Sequence, residues 1–298
     1  AAECGAVHAA DLRARAWAEL GNAHRLGDDF IHAERDFACA MGHAEKGTGN
    51  PLLLARIMDL TASLYTDQRR FREAFHLLDW VHAIYRANGE LHLAGRALLS
   101  KGLSMGYGND YEEGIRLLAA GLELVDRRGE PELVLGAVHN LVWFLVESGH
   151  LKEGRRLLWW SRQLYARHGD LLLSIKVRWI EGKIAAGLGD FDDAEIAFWE
   201  ARDGFEDLHR PYDVAVISLN LAAVWLAQGR NQEVREMVGE LLATFRNLGI
   251  RREAIASLLV LQRAVDRERV TQHLVRSVAA RLQRLEPGST RSLATEKS

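Results

Sequence analysis

Glycine returns in this chain every 40 residues, at Gly49, Gly89, Gly129, Gly169 and Gly249, and at 209 His209 takes its place with Pro211 close behind. The flanks read Thr-Gly-Asn-Pro, Asn-Gly-Glu, Arg-Gly-Glu-Pro, His-Gly-Asp and Leu-Gly-Ile. Such residues stop helices, because they take the left-handed conformation past the last turn and proline cannot continue it. A fixed period of this length is the mark of a repeat array, in which each unit buries its apolar face only against its neighbours.

A second ladder lies between the glycines. Phe30, Phe71, Tyr111, Leu151 and Phe191 recur, with Asn231 as the polar exception. Three residues on comes a small one, Ala33, Ala74, Gly114, Gly154 and Ala194, replaced by Val234 in the sixth unit. A short turn precedes each step, as in Gly27-Asp28-Asp29, Gly108-Asn109-Asp110 and Gly189-Asp190, while the second unit has Asp67-Gln68-Arg69-Arg70 without glycine. Between turns the apolar residues keep a helical period: Ile57, Leu60 and Leu64 on one stretch, Phe71, Ala74, Leu78 and Val81 on the next. Period-two alternation is missing, which excludes strands. Each unit therefore reads as helix A, tight turn, helix B, longer turn, and the chain as all-α.

Composition narrows the function classes. A net charge of -3 argues against a whole-molecule grip on nucleic acid or an anionic membrane. No apolar run approaches the roughly 20 residues that span a bilayer. Cys4 and Cys39 form no redox or metal spacing, so a cytoplasmic location is expected. The chain begins at Ala1 without Met, which reads as a processed chain or a fragment lacking an upstream part. The 12 histidines are scattered and no His-Glu-x2-His occurs, so neither a metal nor a cofactor is expected. Asp192-Asp193 and Glu112-Glu113 start B helices, where the helix dipole accounts for them. No nucleophile elbow or phosphate loop is present, and the chain is not read as an enzyme.

The repeat resembles the tetratricopeptide family. Its pattern, Trp-x2-Leu-Gly-x2-Tyr, then Ala-x3-Phe, then Ala, is followed in the first unit by Trp17, Leu20, Gly21, His24, Phe30, Ala33, Phe37 and Ala40. The fifth unit has Gly182, Gly189, Phe191, Ala194, Phe198 and Ala201. Units four and six depart from it, with Val142 and Ala222 at the helix-crossing glycine. Small residues at Gly21, Ala62, Gly102 and Gly182 would let helix A approach its own helix B. The resemblance implies a right-handed superhelical solenoid of antiparallel helix pairs over 1–285: about six repeats over 12–250, a C-terminal pair at 252–285 without the signature, and a flexible tail at 286–298. The 40-residue unit exceeds the common one of about 34, and such long units look like the sensor solenoids of bacterial regulators.

In that family the A helices line a concave groove. The second, fifth and ninth residues of each A helix share its face. The second are Arg15, Arg56, Arg96, Gly136, Lys176 and Val216; the fifth include Asp59, His139, Trp179 and Leu219; the ninth include Asn22, Trp143 and Lys183. The resemblance thus implies a groove of Arg15, Asn22, Arg56, Arg96, His139, Trp143, Lys176, Trp179 and Lys183. Cations there would hold carboxylates, Asn22 a peptide amide, and the tryptophans apolar side chains. Two readings stand for Trp143 and Trp179: ligand cover, or packing between repeats. Trp80, Trp159, Trp160 and Trp199 on the B helices read first as wedges between hairpins, and second as an outer stripe for self-association. The expected partner is a protein or peptide, with neither nucleic acid nor membrane. The alternative is a self-assembling solenoid.

Overall fold

The computed structural model describes residues 2–248, 252–266 and 269–285. These residues hold fourteen α-helices: α1 (Ala2–Leu26), α2 (Phe30–Ala44), α3 (Pro51–Asp67), α4 (Phe71–Ala87), α5 (Leu91–Tyr107), α6 (Tyr111–Leu124), α7 (Pro131–Glu147), α8 (Leu151–His168), α9 (Leu171–Leu188), α10 (Phe191–Asp207), α11 (Pro211–Ala227), α12 (Asn231–Asn247), α13 (Arg252–Asp266) and α14 (Gln272–Leu285). No strand occurs among them. The expected tail at 286–298, Gly249 and Glu268 lie outside the described residues. Two compact units divide the chain, one carrying α1–α7 and the other α8–α14, and the boundary falls at the turn between Ser148 and Gly149.

The conformational period is half the glycine period. Backbone φ is positive at Gly49, Arg69, Gly89, Asn109, Gly149, Gly189, His209 and Gly229, all on a 20-residue lattice, and at Asp28 just off it. The reason is helix length. Seven helices (α3, α4, α5, α7, α10, α11 and α12) are 17 residues long, and a three-residue turn completes the step. Two expected left-handed caps are corrected. Gly169 is extended, with φ -78° and ψ 147°. Gly129 has no positive φ; the Asp126 carboxylate accepts from the Gly129 and Arg128 amides and shapes that turn instead. The prolines also act differently from plain stop signals. Pro51, Pro131 and Pro211 each open a helix, where the missing N–H has no helical partner to lose.

The expected close crossings are present. A Cβ on Gly182 of α9 would lie 2.6 Å from the Phe198 ring of α10, and one on Gly21 of α1 would lie 2.9 Å from Phe37 of α2. One tighter crossing was not foreseen. A Cβ on Gly106 of α5 would come within 2.0 Å of the Phe144 ring of α7, which is fully buried. Within the first unit α1, α3, α5 and α7 touch in order and so form one inner face. In the second unit α9, α10, α12 and α14 all pack on α11, whose Val216 and Leu219 are buried. The apolar end of the expected groove face is therefore core. The last helix, α14, buries Val275, Val278, Ala279 and Leu282 and adds to that core rather than extending the A/B alternation.

Candidate functional site

Three of the expected groove residues come together on the inner face of the first unit. Asn22 of α1, Arg56 of α3 and Arg96 of α5 line one small cleft of about 50 Å³ with Arg25, Asp59, Ser63, Ser100, Leu99, Leu103 and Leu133. Arg56 and Arg96 meet because equivalent positions on successive first helices fall side by side once the helices stack in register, and Asn22 shares the face two turns along α1.

The cleft is built from one side. Arg25 is buried, and its Nη1 donates to Asp67 Oδ2 at 2.7 Å while Nε and Nη2 donate to Asn22 Oδ1 at 3.1 and 3.0 Å. The bond to Asp67 joins the ends of α1 and α3, and the pair of bonds to Asn22 within α1 fixes the Arg25 side chain. Arg96 reaches Glu130 at 3.0 and 3.1 Å, and Arg56 sits 3.6 Å from Glu19. Asp59 lies among the three guanidiniums. Its Oδ1 is sealed from water and accepts no hydrogen bond, although the residue keeps some exposed surface. Loss of hydration raises the Asp59 pKa, against the opposing pull of Arg56, Arg96 and Arg25. The same carboxylate, after burial, helps to push the Tyr85 hydroxyl up to about 12. An enclosed carboxylate oxygen without a donor is costly. A ligand group that donates to it recovers that cost, while the neighbouring arginines offer charge to a carboxylate.

The remaining expected residues are placed as follows. Arg15 is exposed on α1. His139 is buried in α7 beside Asn140, whose side chain donates to the Gly136 carbonyl at 2.8 Å, and Trp143 is half-buried. In the second unit Lys176 and Lys183 are half-buried, and Lys183 Nζ stands 5.8 Å from the Trp179 ring. Trp179 is only 3% exposed and packs edge-on against Phe205 at 6.1 Å. It is a wall behind the face, so the packing reading of this residue is the one that fits. Asn22 likewise has its carbonyl committed to Arg25 and offers a ligand little. Arg25 and Asp67 were missed. The usable signal was their separation of 42 residues, about one repeat, which places them on adjacent helices at the same height.

On the second helices the order of preference is reversed. Trp80 is 66% exposed, Trp159 55% and Trp160 70%. They do not wedge between hairpins, because each is more than half exposed. Trp199 alone is half-buried, 6.2 Å from Trp225. Asp192-Asp193 and Glu112-Glu113 do occupy first turns, of α10 and α6. Among the described residues no group of three or more His, Cys, Asp or Glu is placed to hold a metal ion, and no helix is long and apolar enough to cross a membrane.

Helix pairs of this kind define the class as an all-α repeat of antiparallel hairpins. No family model matches the sequence, and no curated protein matches it. Solved structures do. The apo form of RapI matches with a TM-score of 0.68 and 13% identity over 91% of this chain and 97% of that one. Aspartyl phosphate phosphatase F from Bacillus subtilis matches with a TM-score of 0.62 and 13% identity, over 78% of this chain but only 59% of that one. A Rap protein complexed with competence and sporulation factor matches with a TM-score of 0.56 and 14% identity, over 88% and 76%. Likeness at this identity establishes the fold: a helical-hairpin repeat shared with Rap proteins.

Proposed function

We propose that this chain is a protein- or peptide-binding scaffold of the tetratricopeptide type, the interaction portion of a bacterial regulator, and that the ligand engages the inner face of the first helices. The observation that carries the reading is Asp59, an enclosed carboxylate oxygen without a donor, set among Arg25, Arg56 and Arg96. A peptide supplies both complements at once, an N–H or ammonium for Asp59 and a carboxylate for Arg56 or Arg96. Support also comes from the fold neighbour that is complexed with competence and sporulation factor. No observation favours chemistry by this chain, and the reading assigns it none.

The test is selection from a displayed peptide library on the purified chain, followed by titration of the enriched peptides. Arg56→Glu with Arg96→Glu is expected to weaken binding more than about tenfold, as loss of charge-assisted contacts does, with the helical circular dichroism unchanged. Enriched peptides that bind the double variant as tightly as the parent would sink the assignment.

A further inference from the structure

The outer side of the second unit carries a feature that the inner cleft does not use. Between α8, α9 and α10 lies a hollow of about 680 Å³. Its banks are α8 and α10, and its floor is Val177, Ile184 and neighbouring residues of α9. The α8 bank presents Arg155, Trp159 and Arg162, spaced to share one helix face, and the α10 bank presents Asp193 and Ile196. Large apolar groups stand on both crests: Trp160 is 70% exposed, Trp159 55% and Ile196 53%. Trp159 and Trp160 meet edge to face at 5.0 Å, and the Arg162 guanidinium covers Trp159 at 4.1 Å, so the aromatic crest is held in place.

The two banks are opposite in charge. Helix α8 holds five lysines and arginines and one glutamate, a net of +4; α10 holds seven carboxylates and one arginine, a net of -6. Few α8 side chains are buried in the unit, only Gly154 and Leu158. A basic bank and an acidic bank side by side, each with an apolar crest, form a surface complementary to itself.

We propose that this surface is an interface between two copies of the chain, related by a twofold axis running along the hollow. That axis lays α8 of each copy over α10 of the other, so every charged bank meets its opposite twice. The exposed tryptophans of one copy then cover Ile196 of the other, removing from water the apolar crests that a lone copy leaves exposed. The hollow between the banks remains wet, as is common inside such contacts. The inner cleft of the first unit takes no part, so peptide binding and self-association are separate properties that fail separately.

Sedimentation of the full chain from about 1 to 100 μM tests this, since interfaces of standard size span that range. A dimer is expected, weaker at high salt. Arg155→Glu with Arg162→Glu takes α8 from a net of +4 to 0, and Asp193→Lys with Asp207→Lys takes α10 from -6 to -2; all four residues are exposed. Each double variant alone is expected to dimerise more than about tenfold less tightly, because the attraction between opposite charges is lost or reduced at both symmetry-related contacts. Mixed in equal amounts, the two variants are expected to associate more tightly than either alone, since the two unaltered banks, +4 and -6, then face each other. Trp159→Ser with Trp160→Ser is expected to abolish the dimer without lowering the melting temperature, which separates interface loss from misfolding. A parent chain that stays monomeric at 100 μM overturns the proposal. So does a dimer indifferent to both reversals, a mixture that fails to recover, or association of the parent only with other proteins.

Discussion

The inner face of the first unit and the outer face of the second are built from the same helical hairpin, yet they offer opposite kinds of surface. On the first, the space of about 50 Å³ is small, charged and held by directed bonds from Arg25 to Asn22 and Asp67. On the second, the space of about 680 Å³ is broad and banked by tryptophan and isoleucine, with Arg178 on its floor donating to Glu181 and Glu200. Packing underlies the difference. Helix α6 buries Gly114, Leu117, Leu118, Gly121 and Leu122, and the glycines of α5 let it lie close, whereas α8 buries only Gly154 and Leu158 within its unit. A repeat with small residues at its crossings closes its outer side and fixes its inner one. A repeat with a polar second helix leaves the outer side open for another surface.

The largest effect expected from breaking this contrast is at Gly106. Gly106→Ala drives a methyl into the buried Phe144 ring and should destabilise the first unit by roughly 1–3 kcal/mol, as overpacking does. Urea unfolding would show it, and Phe144→Leu in the same chain should recover part of the loss. Next comes Asp59. Its pKa is raised in the fold, so the native chain holds that proton more tightly than the unfolded one. Its contribution is favourable below the ordinary aspartate value of 3.8 and is lost as pH rises through the raised value. Asp59→Asn should therefore raise the melting temperature at neutral pH by a few degrees, roughly the effect of 1 kcal/mol, flatten its dependence on pH in the acid range, and cost peptide binding. Arg69 adopts φ of 60° where glycine is at ease, and its guanidinium lies 5.3 Å from the Phe71 ring. Arg69→Gly should relieve about 1 kcal/mol of left-handed strain, and thermal unfolding reads what remains after its side-chain contacts are lost. The smallest effect belongs to the outer crest: Trp160→Ser should change stability by less than about 0.5 kcal/mol, as exposed positions do, and be visible only in association.

Much of the fold was legible from spacing. Glycines at a fixed 40-residue interval, with Phe37 and Phe198 facing Gly21 and Gly182, specify helix pairs because only a residue without a side chain admits a ring at the crossing. The 20-residue rhythm was hidden, because four of the nine left-handed positions carry Arg69, Asn109, His209 or the off-register Asp28 rather than glycine. The site was legible only in part. Counting along first helices brought Arg56, Arg96 and Asn22 to one cleft, but it gave no weight to Asp59, whose importance lies in being enclosed without a donor. Helical spacing assigns a residue to a face, and how deep that face lies depends on the next helix, which is why spacing left two readings for Trp179, which lies buried. The outer tryptophans were misjudged for the converse reason, since nothing packs beyond the second helices to cover them.

Amide hydrogen exchange of the full chain with and without a selected peptide tests the central claim most directly. The account predicts new protection in α1, α3 and α5 around residues 22–25, 56–63 and 96–103, absent in Asp59→Asn, with α8 and α10 unchanged. Protection confined to α8 and α10, or protection that survives Asp59→Asn together with Arg56→Glu and Arg96→Glu, would contradict it.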